Sequence, residues 1–128
     1  MNDMTILLVE DNADDELLAL RALRKTDVPN SVVVARDGEE ALDYIFARGK
    51  YKGRDMRALP KVVFLDLQLP KLNGLEVLRH IRQDERTRRL PVVLLTSSDE
   101  AKDMKAGYDI GVNSYINKPV DFDEFVSQ

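Results

Sequence analysis

The stretch VVFLD at residues 62–66 runs four apolar residues directly into an aspartate. An unbroken apolar run of this length is typical of a central strand that is buried on both faces of a parallel sheet. The aspartate then stands where the strand ends, and parallel α/β sheets bind their ligands in the crevice outside the carboxyl ends of the strands. Asp66 is therefore the first candidate for a functional residue.

Three further polar sites follow strand-like runs in the same way. The four sites and the runs before them are Glu10-Asp11 after 6–9, Asp66 after 62–65, Thr96 after 92–95, and Lys118 after 114–117. Because the carboxyl ends of parallel strands converge on one edge of a sheet, we expect the four sites to meet. The crevice would hold three carboxylates, a hydroxyl and an ammonium group.

Strand-like runs alternate with helical patterns along the whole chain. The five predicted strands are 5–9, 32–35, 62–65, 92–95 and 113–116. The alternation predicts an α/β fold with right-handed crossovers and helices on both faces of a parallel sheet. The short run 32–35 and the polar run 113–116 suit edge strands, and the other three suit the centre.

Capping residues and apolar spacing predict where the helices lie. The first helix is predicted over residues 14–25. Asp37 and Glu40 have the spacing of a capping box at the start of the second, and Gly49 is its predicted end. The third is predicted to turn Arg79 and Arg82 to water. A fourth is predicted from residue 101 to 111, and a short or truncated last helix begins near residue 121.

Length and composition limit the class of protein. A chain of 128 residues without cysteine predicts one domain without disulfides, in keeping with the cytoplasm. A net charge of -4 and the absence of a long apolar segment argue against nucleic acid and membrane and favour a protein partner. Five basic residues at 48–57 are predicted to form a solvated, mobile loop rather than a docking patch.

The predicted crevice needs a positive counter-charge. Two like charges about 5 Å apart repel by roughly 3 kcal/mol at an effective dielectric near 20, so Glu10, Asp11 and Asp66 cannot share a site alone. A hard cation with oxygen ligands such as Mg²⁺ supplies the charge, and Lys118 adds a second cation. Asp66 would then stay ionised and can act as a nucleophile.

The ordered set of motifs resembles the receiver domain of two-component response regulators, a chemotaxis-regulator-like fold. The motifs are Glu10-Asp11, DLQLPKLNG at 66–74, Thr96-Ser97, Tyr115 and Lys118-Pro119. The resemblance runs from about Thr5 to the end and implies a flavodoxin-like, doubly wound sheet of five parallel strands in the order 2-1-3-4-5, as one receiver domain over 1–128. The basic loop and residues 107–111 resemble the stand-alone receivers paired with phytochrome-type kinases.

The resemblance implies a role for each acidic residue. Asp66 would accept a phosphoryl group from the phosphohistidine of a sensor histidine kinase or a histidine phosphotransfer protein. Glu10, Asp11, Asp66 and the backbone carbonyl of Gln68 would surround Mg²⁺. The protein would be a phosphoacceptor switch that catalyses only its own phosphorylation and dephosphorylation, and not an enzyme with other substrates.

The resemblance also implies a switch and an output surface. Lys118 would hold the phosphate, the Thr96 hydroxyl would move to it, and the ring of Tyr115 would swing inward behind Thr96. Phosphorylation would then change a partner-binding surface made by the fourth helix, the fifth strand and the last helix. The same α4-β5-α5 face would be the place for a homodimer contact.

Three other functions stay open at this point. A pseudo-receiver could dimerise or act as a scaffold without phosphorylation, although it has no use for three mutually repelling carboxylates. A phosphatase of the haloacid dehalogenase type would need an aspartate as general acid where this chain has Gln68. A flavodoxin-like FMN carrier would need a phosphate cradle after the first strand, where residues 10–16 are strongly acidic.

Overall fold

Five parallel strands form one sheet in the order β2-β1-β3-β4-β5, as the resemblance implies. The computed structural model describes residues 4–24, 30–67, 69, 72–96 and 111–117. Its elements are β1 (Met4–Val9), α1 (Ala13–Arg24), β2 (Asn30–Ala35), α2 (Gly38–Ile45), a short 3-10 helix (Gly49–Tyr51), β3 (Val62–Asp66), α3 (Gly74–Gln83), β4 (Val92–Thr96) and β5 (Ser114–Asn117). The predicted fourth and last helices lie outside the described residues.

The sheet is covered on both faces, which explains its unbroken apolar strands. Successive residues of β1, β3 and β4 point to opposite faces, so each strand supplies both hydrophobic cores. Leu7, Val63 and Leu94 pack with α2 and α3 on one face. Leu8 and Phe64 pack with α1 on the other. Strands β2 and β5 form the two edges, as predicted, although β2 has six residues and is as long as β1.

The second helix starts where the sequence predicts but ends earlier. The Asp37 carboxylate accepts a hydrogen bond of 2.8 Å from Glu40 N–H. The Glu40 carboxylate reaches Arg36 N–H at 3.0 Å, which is a variant of the predicted capping box. The prediction that Gly49 ends α2 is wrong: α2 ends at Ile45, and Gly49, at φ +58°, opens the 3-10 helix instead.

One cation of the basic loop, Arg54, packs against α2, a contact that the sequence did not predict. The Arg54 guanidinium donates to the carbonyls of Tyr44, Ile45 and Ala58 at 2.6 to 2.8 Å and stacks 4.5 Å from the Tyr44 ring centre. Two of these carbonyls, those of Tyr44 and Ile45, belong to the last turn of α2. The carbonyls of a last helical turn have no N–H partner within the helix itself. A side chain in the loop therefore caps the helix.

A second set of contacts ties the loop to the start of α2. Lys50 Nζ lies 2.9 Å from the Glu40 carboxylate, and the Tyr51 hydroxyl donates to it at 3.2 Å. Burial alone would raise the pKa of Glu40, but the hydrogen bonds from Arg36 N–H, Lys50 and Tyr51 outweigh it and lower that pKa. Both ends of α2 are thus held by the loop that follows it.

The prediction that Arg82 faces water is also wrong. Its guanidinium donates to the carbonyls of Gly111 and Leu90, each at 2.7 Å, and to Asn113 Oδ1 at 2.9 Å. Asn113 Oδ1 in turn accepts from Val92 N–H at 2.8 Å. Burial lowers the pKa of Arg82 below its usual range. Arg82 therefore joins α3 to the entries of β4 and β5.

We expect Arg82→Gln to lower the free energy of unfolding by about 1–3 kcal/mol, because buried carbonyls lose a charged donor. Arg79→Gln is the matched control on the same helix. Within the described residues, Arg79 pairs only with Glu76, at an exposed position, and loss of this pair should cost about 0.5 kcal/mol or less. Urea unfolding of both variants is the measurement, and equal losses would contradict the role given to Arg82.

Within the described residues, no helix is both long and apolar enough to span a membrane.

Candidate functional site

The strand register brings the carboxyl ends of four strands to one edge of the sheet. Val9 of β1 pairs with Leu65 of β3, and Asp66 of β3 pairs with Leu95 of β4. At the far side, Thr96 of β4 pairs with Asn117 of β5. The polar sites of the sequence therefore follow strands that end side by side, as predicted.

Three carboxylates converge at this edge. Glu10, Asp11 and Asp66 each offer an oxygen atom, and these atoms lie within 4.8 Å of one another. Glu10 is only 1% exposed and Asp66 only 5%, whereas Asp11 is exposed. At such distances each pair of ionised carboxylates repels by about 3 kcal/mol at an effective dielectric near 20. The cluster is therefore a place where a cation is stabilising.

Backbone contacts fix Glu10 beyond the end of β1. Its N–H donates to Ala35 O at 2.9 Å and so extends the pairing with β2 by one step. Its Oε2 accepts a hydrogen bond of 3.2 Å from Asn12 N–H. The carboxylate is thus held over the sheet edge while Asp11 stays at the surface.

Asn12 is a residue that the sequence reasoning did not single out. Its Oδ1 accepts from Asp15 N–H at 3.0 Å, and its carbonyl accepts from Glu16 N–H at 2.9 Å. These are the contacts of a helix N-cap, for which asparagine is among the preferred residues. Asn12 therefore starts α1 directly after the acidic pair and fixes the direction in which the chain leaves the site.

The turn after Asp66 depends on Gly74. Leu67 N–H donates to Leu95 O at 3.1 Å, and Gly74 N–H donates to Leu67 O at 2.9 Å. A Cβ atom on Gly74 would lie 2.8 Å from Leu67 Cα and would also collide with the Asp66 carbonyl. Gly74 therefore meets a backbone requirement. Close approach of α3 to the end of β3 holds Asp66 in position.

The donor set fits a hard divalent cation. Carboxylate oxygens are the ligands that Mg²⁺ and similar ions prefer, and Mg²⁺ usually keeps water or substrate oxygens on its remaining positions. Two of the carboxylates are buried and one is exposed, which leaves the cluster open to solvent on one side. The arrangement therefore suits a hard cation that keeps other oxygen ligands on its open side.

The other predicted site residues lie outside the described residues or have side chains that are not described. Gln68 and Lys118 lie outside the described residues. Thr96 and Tyr115 are described as strand residues, but their side chains are not. The backbone places Thr96 at the end of β4 and Asn117, directly before Lys118, at the end of β5.

Comparison with known proteins gives an independent result. The family model for the response regulator receiver domain matches residues 6–128. The probable methanogenesis regulatory protein FilR2 of Methanothrix harundinacea is 42% identical over 93% of this chain and 74% of its own length. The response regulator Rcp1 of Synechocystis sp. is 37% identical over 88% of this chain and 75% of its own.

Solved structures give the same result. The bacteriophytochrome response regulator RtBRR superposes with a TM-score of 0.89 at 47% identity, covering 98% of this chain and 75% of that one. For AtBRR, a second bacteriophytochrome response regulator, the TM-score is 0.88 at 49% identity, with 99% and 90% covered. The predicted resemblance to phytochrome-associated regulators is confirmed.

Two further structures capture states that bear on the site. The phosphorylated cyanobacterial phytochrome response regulator RcpA has a TM-score of 0.84 at 42% identity and covers 91% of this chain and 81% of that one. The Mn²⁺-bound form of Rcp1 has a TM-score of 0.84 at 34% identity, with 97% and 87% covered. Receiver domains of this kind bind a divalent metal at an acidic cluster and are phosphorylated by histidine kinases. The chain belongs to the response regulator receiver domain family.

Proposed function

We propose that this protein is a phosphorylatable signalling switch in which Asp66 is the phosphoryl acceptor. The observation that carries the proposal is the convergence of Glu10, Asp11 and Asp66 within 4.8 Å at the carboxyl edge of the sheet. A scaffold that is never phosphorylated would gain nothing from three carboxylates that repel one another. The phosphorylated state of RcpA, a relative at 42% identity, supports the same conclusion.

The chemistry asked of the chain is nucleophilic attack. A carboxylate oxygen of Asp66 forms a bond to phosphorus, and the bond from phosphorus to the donor's imidazole nitrogen breaks, with the electron pair leaving on that nitrogen. Asp66 needs no general base when it is ionised. Phosphoryl transfer otherwise depends on positioning and on stabilisation of charge. The fixed end of β3 supplies the positioning.

Glu10, Asp11, Asp66 and the backbone carbonyl of Gln68 would hold the metal, which we propose to be Mg²⁺. When bound, it supplies positive charge that offsets both the carboxylates and the phosphoryl oxygens. One of the first two acidic residues would act through a water molecule. The Mn²⁺-bound form of Rcp1 supports a divalent cation at this site.

Asp11→Asn should weaken Mg²⁺ binding at least about 10-fold, because one ionised ligand is lost from the cluster. Asp11 is exposed, so the fold should be unaffected. Asp55→Asn, which changes an exposed aspartate remote from the site, is the control. Titration calorimetry with MgCl₂ measures both affinities. Equal affinities for wild type and Asp11→Asn would show that the ion is held elsewhere.

Removal of Mg²⁺ with EDTA should also prevent labelling by acetyl phosphate.

We propose that Lys118 holds the phosphoryl group and that Thr96 and Tyr115 respond to it. The ends of β4 and β5, at Thr96 and Asn117, are register partners, which supports a location for all three beside Asp66. Lys118→Ala should leave Mg²⁺ binding intact but separate phosphorylation from the change in the output surface. Proton-nitrogen NMR spectra recorded with and without acetyl phosphate would measure that separation. If acetyl phosphate changed the chemical shifts of the Lys118→Ala variant as it changes those of wild type, the role proposed for Lys118 would be contradicted.

Two exposed leucines suggest where the phosphoryl donor docks. Leu17 is 48% exposed and Leu18 is 43% exposed, both in the second turn of α1. They lie just beyond the acidic pair that begins the site. We propose that they contact a sensor histidine kinase or a histidine phosphotransfer protein, whose phosphohistidine must reach Asp66.

We further propose that residues 1–128 form a single receiver domain that acts in the cytoplasm through protein partners. A cysteine-free chain with a net charge of -4 supports this. The fourth helix, the fifth strand and the last helix would form the output face and a homodimer contact. The protein would catalyse only its own phosphorylation and dephosphorylation.

A further inference from the structure

A groove lies at the amino-terminal edge of the sheet, opposite the carboxylate cluster. It separates the segment before β3 from the segment before β4 and includes a cleft of about 490 Å³. Leu59 and Pro60 line one side, and Leu90 and Pro91 line the other. The groove therefore has an apolar floor at the entries of two central strands.

The rim of this groove is basic, although the chain carries a net charge of -4. Among the described residues that line it, four are cationic and one, Glu85, is a carboxylate; the cations are Arg57, Lys61, Arg86 and Arg89. Two of the four cations have neighbouring partners: Arg57 pairs with Asp55 at 3.3 Å, and Arg86 pairs with Asp84 at 2.8 Å. In the ranges that the structure describes, Lys61 and Arg89 make no ion pair. The Lys61 ammonium group and the Arg89 guanidinium group are therefore available to an anion.

A second cleft, of about 400 Å³, extends the groove toward α2. Arg86 lines both clefts. Two guanidinium groups approach the Phe46 ring, that of Arg48 at 5.7 Å and that of Arg86 at 5.5 Å from its centre. The second cleft adds the Phe46 ring and the Arg48 guanidinium to the surface around Arg86, together with the Asp84 carboxylate that Arg86 pairs with.

Hydrogen bonds hold both walls of the groove in place. Arg54 donates to Ala58 O at 2.6 Å on one side, and Arg82 donates to Leu90 O at 2.7 Å on the other. The Thr87 hydroxyl, only 1% exposed, donates to Ile81 O at 2.6 Å. A surface fixed in this way loses little conformational entropy when it binds a partner.

We propose that this groove binds an extended acidic peptide segment of a partner protein. Carboxylates would pair with Lys61 and Arg89, and an apolar side chain would lie on the floor between Leu59 and Leu90. Nucleic acid fits less well, because strong phosphate binding needs many unpaired cations, whereas Lys61 and Arg89 are the two that line this groove among the described residues. The groove lies at the end of β3 opposite Asp66, so the proposal does not rest on the phosphorylation site.

The test begins with a random dodecapeptide library displayed on phage and selected on the wild-type protein. The enriched sequences should carry an excess of Asp and Glu together with at least one apolar residue. A labelled synthetic peptide of the enriched sequence then gives the affinity by fluorescence anisotropy. Enrichment of basic or uncharged peptides, or of none, would overturn the proposal.

Charge-reversal variants locate the binding. Lys61→Glu combined with Arg89→Glu should weaken peptide binding about 10-fold or more, and wild-type affinity should fall as salt is raised. Arg21→Glu combined with Lys52→Glu changes the net charge equally at exposed positions outside the groove. This control should bind within about 2-fold of wild type. Equal losses in the two double variants would mean that overall charge, and not the groove, decides binding.

Two further measurements exclude other occupants. A labelled single-stranded DNA of twelve nucleotides should bind far more weakly than the peptide, and equal affinity would overturn the proposal. Light scattering should give the same mass for wild type and the Lys61→Glu/Arg89→Glu variant. A wild-type dimer that this variant abolishes would make the groove a contact between copies instead. Labelling by acetyl phosphate should be unchanged in the Lys61→Glu/Arg89→Glu variant, because the groove lies at the end of β3 opposite Asp66.

Discussion

Asp66→Asn is expected to abolish phosphoryl labelling by acetyl phosphate in the presence of Mg²⁺. The asparagine amide has nearly the same shape as the aspartate but no anionic oxygen to attack phosphorus. Removal of a nucleophile lowers such rates by more than about 100-fold. Intact-protein mass spectrometry measures the gain of one phosphoryl group, which should be stable in acid and lost in base.

The control for this result is Asp55→Asn. Asp55 is exposed and pairs with Arg57, so its loss should leave labelling at the wild-type level. Without Mg²⁺, Asp66→Asn should be at least as stable as wild type, because one of three mutually repelling charges has been removed. Retained labelling in Asp66→Asn would place the acceptor elsewhere, and an unfolded variant would contradict the repulsion argument.

Gly74→Ala is expected to destabilise the fold and to displace the end of β3 that carries Asp66. Alanine normally favours a helix over glycine by about 1 kcal/mol. At this position, however, its Cβ would lie 2.8 Å from Leu67 Cα, and relief of such a backbone collision costs about 1–3 kcal/mol. The free energy of unfolding should fall, and the displaced end of β3 should slow labelling of Asp66.

Gly53→Ala is the matched control, since a Cβ at Gly53 would meet no atom within 4 Å. Its free energy of unfolding should change by about 0.5 kcal/mol or less. Urea unfolding of the two variants compares the same chemical change at a crowded and an open backbone position. If Gly74→Ala proved as stable as Gly53→Ala, the close approach of α3 to β3 would not be what positions Asp66.

The sheet and the carboxylate cluster were predictable because each follows from local patterns. Unbroken apolar runs identify the central strands, and a polar residue directly after such a run must lie at the carboxyl edge. That logic placed Asp66 beside Glu10 and Asp11, which the structure confirms. The strand order came from the family resemblance, since periodicity alone does not order strands.

The errors lie where distant residues decide the outcome. Arg82 has the spacing of an exposed helix position, yet it binds Gly111 and Asn113, about thirty residues along the chain. Arg54 looks like one of several loop cations, yet it caps α2 through carbonyls that no local pattern connects to it. Asn12 was predictable, because an asparagine just before a helical acidic turn is a recognised N-cap signal.

A crystal structure of the protein grown with Mg²⁺ and beryllium fluoride, a phosphoryl mimic, tests the central claim most directly. One ion should be bound by oxygens of Glu10, Asp11 and Asp66, directly or through one water, with direct contacts of about 2.0–2.1 Å. The beryllium group should be bonded to an Asp66 carboxylate oxygen and contacted by Lys118. An ion or a beryllium group seated on other carboxylates would contradict the assignment of this edge of the sheet as the phosphorylation site.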